Sequence, residues 1–435
     1  MPNNYIEIGS SGLRRYSGFI TEEWLRQLDG PRGTKMYREM ADNDGLIGGI
    51  LFTVEMLLRN VRWRVQPFDD SPASLEQAEF VESLMDDMSH TWGDFIAESL
   101  SMLIYGFAPM EIVYKRRVGP TESDPTRRSR HSDGRIGWRK LPLRSQDSLD
   151  RWEFDDDGGI RGMWQDPING GSPVLIPIEK MLLFRTTSRK NSPEGRSALR
   201  NAYVSYYHKK KITEMEATGV NRDLTGMPVF WLPPSLFDPN ATASEKAQLA
   251  EYRHIMENIR ADSQGGLLLP LLLDANGKKL LHFELAGTGT RRQHDTSAII
   301  NRHDQQMAIS FLADFIMLGH EGVGSFALSS DKTAMFATAL GAWLGSLADT
   351  VNRHGLPRLY ELNGWDSAQT ATLIPGDLEK PDIEKLTNAV ATLTSAGFLT
   401  PGAVQDENHL RETLDMPALD ESAAEEDRAT PAETE

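Results

Sequence analysis

Between Ser297 and Tyr360 the apolar residues recur every three or four positions, a period that suits a helix and that no strand can use. In SAIINRHDQQMAISFLADFIMLG the row is Ile300, Met307, Phe311, Phe315 and Leu318. In KTAMFATALGAWLGSLADTVNRHGLPRLY one row is Met335, Ala339, Trp343, Leu347 and Val351, and the adjacent row is Phe336, Leu340 and Leu344. Such stripes must be covered by a core or by a neighbouring subunit. Ser330 or Asp331 is placed to cap the second helix. Gly319, Gly322 and Gly324 punctuate HEGVGSFALSSD between them, so the pattern predicts two stiff helices joined by a loop free to turn sharply.

The remaining chain has to scaffold this unit, and at 435 residues it is long enough for two or three domains. With no cysteine, disulfides, zinc–thiolate sites and Cys nucleophiles are excluded. The longest apolar run, GLLLPLLL at Gly266 to Leu273, is broken by Pro270 and falls far short of the ~20 residues that cross a bilayer. No apolar signal region opens the chain, so a soluble protein made in a cytoplasm, with no membrane partner, is expected. The net charge of −17 argues against a general nucleic-acid binder. It does not exclude a surface past which DNA slides without sticking.

In chain order, residues 1–29 read as a polar arm. Helical patterning begins at Lys35, with Leu46, Ile50, Val54, Leu57 and Val61 on one face. Helices are expected at Ser74–Met88 and Thr91–Tyr105, the latter stopped by Gly106, with a strand at Met110–Tyr114. Residues 117–134 form a polar loop between strands, where Arg127, Arg128 and Arg130 read as a solvated tip in preference to a phosphate contact. Further strands bury Trp152, Phe154, Met163, Leu182 and Phe184, and Asp155–Asp157 before Gly158-Gly159 mark a turn. A helix with Ser192 as cap and Pro193 in its first turn is expected to run to Leu224, about 45 Å at ~1.5 Å per residue. A strand at Met227–Pro234, a helix at Ala243–Asp262 and two more strands follow. A helix at Asp382–Ala396 and an acidic tail from Leu419 close the chain.

Catalytic chemistry finds no foothold. There is no GxxxxGK[ST] phosphate loop, no HExxH and no GxSxG. His294 and His303 are nine apart and do not converge on one helix face, and Asp420/Glu421 sit in the tail. No enzyme, cofactor or metal is expected.

The order of the pieces resembles tailed-bacteriophage portal proteins, most closely those of Mu-like myophages. The resemblance is carried by MADNDGLIGGILFTVEMLLRNVRWRVQP, LIYGFAPMEIVY, SPEGRSALRNAYVSYYHKKKITEMEATGVNRDLTGMPVFWLP, FLADFIMLGHEGVGSFALSSDKTAMF and LPRLYELNGW, in that order. It implies an α+β portal fold with an α/β wing, helical stem, α/β clip and helical crown. Carried over, 1–29 is an arm, 30–191 the first part of the wing and 192–224 the first stem helix. The clip is 225–292, the second stem helix 293–318 and the tunnel loop 319–330. The long helix and return of the wing are 331–377, the crown 378–417, and the tail 418–435.

The same resemblance implies a non-enzymatic ring, typically of twelve copies, at the portal vertex of a virion. Double-stranded DNA would pass through its channel during packaging and ejection. Partners would be the terminase large subunit, the major capsid protein and scaffold, and head–tail connector or adaptor proteins. His320, Glu321, Gly322, Val323, Gly324 and Ser325 become tunnel-loop candidates. Lys209, Lys210 and Lys211 become stem residues, facing either DNA or a neighbouring subunit or solvent. Phe311, Phe315, Phe336, Leu340, Trp343 and Leu347 become candidates for packing between subunits. Another ring-forming head–tail adaptor is the alternative, though such chains are usually much shorter, and a DNA-packaging nuclease or ATPase lacks its motifs.

Overall fold

A computed structural model describes residues 10–167, 170–225, 227–258, 282–286, 295–313 and 326–378. The arm is a hairpin of β1 (Arg15–Tyr16) and β2 (Phe19–Ile20). Helices α1 (Gly30–Asn43) and α2 (Gly45–Arg59) lead to β3 (Trp63–Gln66). Helices α3 (Pro72–Asp87), α4 (Trp92–Ser99) and α5 (Ser101–Tyr105) precede β4 (Phe107–Glu111), β5 (Val113–Arg116) and β6 (Ile136–Lys140). A meander of β7 (Leu149–Phe154), β8 (Ile160–Gln165) and β9 (Val174–Pro177) ends the first half with β10 (Met181–Arg185). Helix α6 (Tyr203–Thr225), β11 (Met227–Trp231), α7 (Ala243–Asn258) and β12 (His282–Ala286) follow. Helices α8 (Thr296–Ser310) and α9 (Phe326–Thr350), a π-turn (Val351–Gly355), α10 (Leu356–Leu362) and β13 (Thr372–Pro375) complete the described chain. This is the expected α+β class.

Every described ladder is antiparallel and small. β4 pairs with β10, β5 with β6, β11 with β12, and β3 with the distant β13. One apolar core gathers Met40, Ile50, Phe95, Trp138, Phe184 and Tyr360 from helices and sheets across the chain. A second lies under the meander, where Trp152, Met163 and Ile176 meet Phe107 and Met181. Phe154 stays at that core's rim, with the Arg15 guanidinium 4.1 Å above its ring.

Local chemistry sets most boundaries. Asp44 stops α1 and caps α2, its Oδ1 accepting from the N–H groups of Leu46 and Ile47 at 3.0 and 3.1 Å. Thr91 and Asp94 form a reciprocal capping box on α4. Gly106, at φ 95°, ends α5 as expected, and a β-carbon there would sit 2.8 Å from the Gly195 backbone. The acidic triplet makes the expected turn, with Gly158 at φ 86° and Asp155 accepting from the Gly159 N–H.

Three helix boundaries and one face depart from the sequence reading. On α2 the buried row is Ile47, Ile50, Val54 and Leu58, while Leu57 is 43% exposed. Apolar residues surround this helix on nearly all sides, so periodicity alone does not choose a face. The long helix begins at Tyr203, eleven residues after Ser192, because Gly195 must press against Gly106 in a non-helical segment knotted by Thr186 and Ser197. Its 23 residues span ~35 Å, not the expected ~45 Å. Helix α8 ends at Ser310 instead of reaching Leu318. Leu312 turns left-handed at φ 58° and the Ala313 N–H closes on the Ala308 carbonyl at 2.9 Å. That conformation costs a non-glycine residue about 1–2 kcal/mol, against which Phe311 and Ala313 are buried on either side. Helix α9 begins at Phe326, so Ser330 and Asp331 lie within it and not at its start.

The π-turn has an identifiable cause. Pro357 has no N–H to give the Arg353 carbonyl, and its ring would clash there in a regular helix. Widening to a bond from the Leu356 N–H to the Val351 carbonyl lets the chain continue as α10. Two asparagines then act as strand substitutes. Asn352 accepts from the Leu373 N–H at 2.8 Å and donates to its carbonyl at 2.9 Å. Asn363 does the same for Ile136 at 2.8 and 2.9 Å. They fasten the helical return to β13 and β6.

Residues 117–134 form the expected loop between paired strands, and its base is fixed by a buried ion pair. Lys115 Nζ lies 3.0 Å from Asp87, with side chains 4% and 2% exposed, and donates to the Arg128 carbonyl at 2.9 Å. Asp87 also accepts from the Ser129 hydroxyl at 2.7 Å and the Arg130 N–H at 2.8 Å. Burial opposes the Asp87 charge, but these donors and Lys115 outweigh it and hold the carboxyl below its usual range.

Asn363→Ala leaves both backbone groups of Ile136 without this partner, and a loss of about 1–3 kcal/mol is expected in chemical denaturation. Because the folded pKa of Asp87 is depressed, its contribution is complete above the unfolded value of ~3.9 and is lost as pH falls through the folded one. The stability gap between wild type and Asp87→Asn is therefore expected to be large at pH 7 and to narrow in strong acid.

Candidate functional site

Helices α6 and α8 run antiparallel and meet along a polar seam. Ser205 Oγ donates to Gln306 at 2.9 Å, and the imidazoles of His208 and His303 stack with centroids 5.8 Å apart. Further along, the Thr296 hydroxyl donates to Glu216. Beside the histidines, Lys209 Nζ lies 2.7 Å from Asp304 and 2.8 Å from Asp44, the residue that caps α2. Burial works against the Lys209 charge, but the two carboxylates outweigh it and hold its pKa above the ordinary value. Burial, with Arg302 and His208 nearby, pushes His303 below its ordinary value.

Lys210 pairs with Glu39 of α1, which also accepts from the Tyr206 hydroxyl at 3.1 Å. Lys211 sits 5.7 Å over the Tyr207 ring. The lysine run was expected to face DNA, a neighbouring subunit or solvent. Lys209 and Lys210 have acidic partners within their own chain, while Lys210 and Lys211 stay exposed. Asp44, Glu39 and Asp304 lie 95 to 171 residues away from those lysines, and no sequence spacing marked them.

The apolar stripes also resolve differently from expectation. Phe311, Phe336, Leu340 and Leu347 were read as contacts between subunits, yet they are 8%, 5%, 1% and 1% exposed within one chain and belong to its main core. Trp343 is half-buried against that core. The reason is geometric: α9 packs on β10, β13 and α2, and this row is the face turned toward them. The opposite face of α9 is open, with Met335 60% exposed and nothing within 4 Å of a β-carbon at Gly341 or Gly345. Phe315 and the tunnel-loop candidates His320, Glu321, Gly322, Val323, Gly324 and Ser325 lie outside the described residues.

Among the described residues no three His, Asp or Glu side chains are arranged to hold a metal. A shallow depression of about 340 Å³ on α7 is lined by Lys246, Leu249, Ala250, Arg253 and His254 and brings together no acid–base pair. The run Ala334–Leu362, with mean hydropathy 1.2, is long and apolar enough to cross a bilayer. Its most apolar row, however, is the core-facing one just described, and its C-terminal part carries Arg353, His354 and Arg358. Among the described residues, α6 and α8 thus pair along a polar seam, and Lys209 and Lys210 tie α6 to α2, α8 and α1.

The family model described as the portal protein of Mu bacteriophage matches residues 34–416. Three solved structures share the fold. One is from the virion of a native gene transfer agent particle, with 13% identity and a TM-score of 0.53. One is from the neck of the native particle computed with C12 symmetry, with 15% identity and a TM-score of 0.51. The third is from the neck of the empty particle computed with C6 symmetry, with 14% identity and a TM-score of 0.52. Each comparison covers 90% of this chain and 95% of the other. With a match across most of its length and a fold that agrees, this chain belongs to the family of Mu bacteriophage portal proteins.

Proposed function

We propose that this chain assembles into a ring at one vertex of a virion, as a head–tail connector whose bore carries double-stranded DNA during packaging and ejection. The observation that carries this reading is the family match over 34–416, joined to a likeness of fold that includes a neck computed with C12 symmetry. Two features of the molecule support it. The α6–α8 pair is stitched by polar contacts and carries exposed apolar residues, Val204 at 53%, Met215 at 69% and Ile309 at 57%, which a ring neighbour would cover. A charge of −17 per copy, repeated around a bore, repels phosphate and favours passage over adhesion.

In this assignment 319–330 is the tunnel loop, and 225–292 is the clip that meets the terminase and, later, the connector proteins. The 378–417 segment is the crown. The protein performs no bond chemistry of its own, and the motor's energy comes from its partner.

Electron microscopy of the purified full-length protein is expected to show rings with a central hole. Monomers under every assembly condition, or ATP hydrolysis by the protein alone, would overturn the assignment. Deleting Gly322–Gly324 is expected to leave ring formation intact while lowering the yield of DNA-filled particles. Loss of the ring itself would place that segment in the assembly interface.

A further inference from the structure

The basic loop of 117–134 is left over by this reading; its tip arginines are exposed as expected, but the backbone beneath them is anchored. Residues 115–140 hold nine Lys or Arg against three Asp or Glu, in a chain whose net charge is −17. Several of the nine are committed internally. Lys115 is spent on Asp87, Arg117 lies 3.2 Å from Asp133 and over the Phe80 ring, and Arg135 pairs with Glu76. The three at the tip are not. Arg127 makes one exposed 3.6 Å contact with Asp124, Arg128 gives a single N–H to the Glu122 carbonyl, and the Arg130 guanidinium has no acidic partner among the described residues.

The backbone beneath them is held firmly. Asp87 grips the Ser129 hydroxyl and the Arg130 N–H, and Lys115 grips the Arg128 carbonyl, all from a pair under 5% exposed. A second clamp inside the loop is the turn in which Asp124 accepts from Thr126 at 2.9 and 2.7 Å. A buried ion pair spent on one surface loop is a costly way to hold a merely solvated tip. It is an economical way to present three guanidinium forks in fixed positions.

We propose that Arg127, Arg128 and Arg130 form a pre-ordered platform for the phosphate backbone of double-stranded DNA, distinct from any contact made inside a bore. Charge complementarity calls for a polyanion, and the loop's composition selects which kind. Residues 117–135 contain no aromatic residue, and Val118, 39% exposed, is the one large apolar side chain on their surface. An acidic protein partner would need an apolar centre to desolvate. Phosphate contacts need only positioned donors and tolerate water. The negative charge elsewhere keeps the contact weak and short-ranged, since charges beyond a Debye length of about 8–10 Å are screened. DNA would therefore be held at this face without adhering to the rest of the surface.

The test uses the full-length protein and a fluorescent covalently closed DNA minicircle, which has no end to thread through a ring, so the result is independent of the channel reading. Binding is expected to weaken with salt, and the triple variant Arg127→Gln/Arg128→Gln/Arg130→Gln is expected to lose at least about tenfold in affinity at 50 mM salt. Its slope of log affinity against log salt should fall by about three, at ~0.9 per phosphate contact. Its thermal melting should match wild type. Ser129→Ala keeps every charge but removes one clamp, and a several-fold loss is expected if presentation matters. Unchanged binding by the triple variant sinks the platform, and unchanged binding by Ser129→Ala sinks its pre-ordering. Tighter binding of a labelled polyglutamate peptide than of the minicircle, at equal salt, would assign the loop to an acidic protein instead.

Discussion

Lys209 holds two carboxylates from different parts of the chain, and the meeting of α2, α6 and α8 depends on it. One oxygen of Asp44 caps α2 while the other takes the ammonium, so the initiation of α2 and the position of α6 share a side chain. Asp304 brings α8 to the same point. With Lys209 19% exposed and Asp44 4% exposed, the bridge lies between two regimes. It exceeds the roughly 0–1 kcal/mol of a surface pair and falls short of the ~3–5 kcal/mol lost on breaking a fully buried one. A modest energy suffices, because the seam also carries Ser205–Gln306, His208–His303 and Thr296–Glu216. Polar seams fix register where apolar ones would allow sliding, and here the seam adds to the burial of Tyr203, Tyr206, Met307 and Phe311 in the main core.

The elements legible in the sequence were those set by local chemistry. Gly106 ended a helix, the Asp155–Gly159 turn formed, and the strands around Trp152, Met163, Leu182 and Phe184 buried those side chains. The order of elements followed from period and punctuation, and the α+β class from the family resemblance. What could not be read was set at a distance. Ser192-Pro193 carries a good helix-start signal, yet the need for Gly195 to lie against Gly106, some ninety residues earlier, overrules it. The α2 face was ambiguous because the helix is apolar nearly all round. The acidic partners of the lysine run were invisible for the same reason that most long-range ion pairs are.

The inward turn of Phe336, Leu340, Leu344 and Leu347 changes what is left to hold neighbouring copies together. In the proposed ring, neighbouring copies would meet through what stays outside this core. On α9 that exterior is small and glycine-bearing around Gly341 and Gly345, so backbones can approach closely. On α6 and α8 it is scattered Val, Met and Ile. Contacts of this kind are individually weak and would gain strength by repetition around the proposed ring.

The π-turn at Val351–Gly355 fits one more residue into a helical turn than the helices on either side. Each extra residue advances the side-chain phase by roughly 100°, the angle of one step around a helix with ~3.6 residues per turn. Residues before Val351 and after Gly355 are thus keyed to different azimuths, the first to the wall of β10 and β13 and the second to β6. The run from Phe326 to Leu362 thus offers one apolar face to β10 and β13 before the π-turn and another to β6 after it.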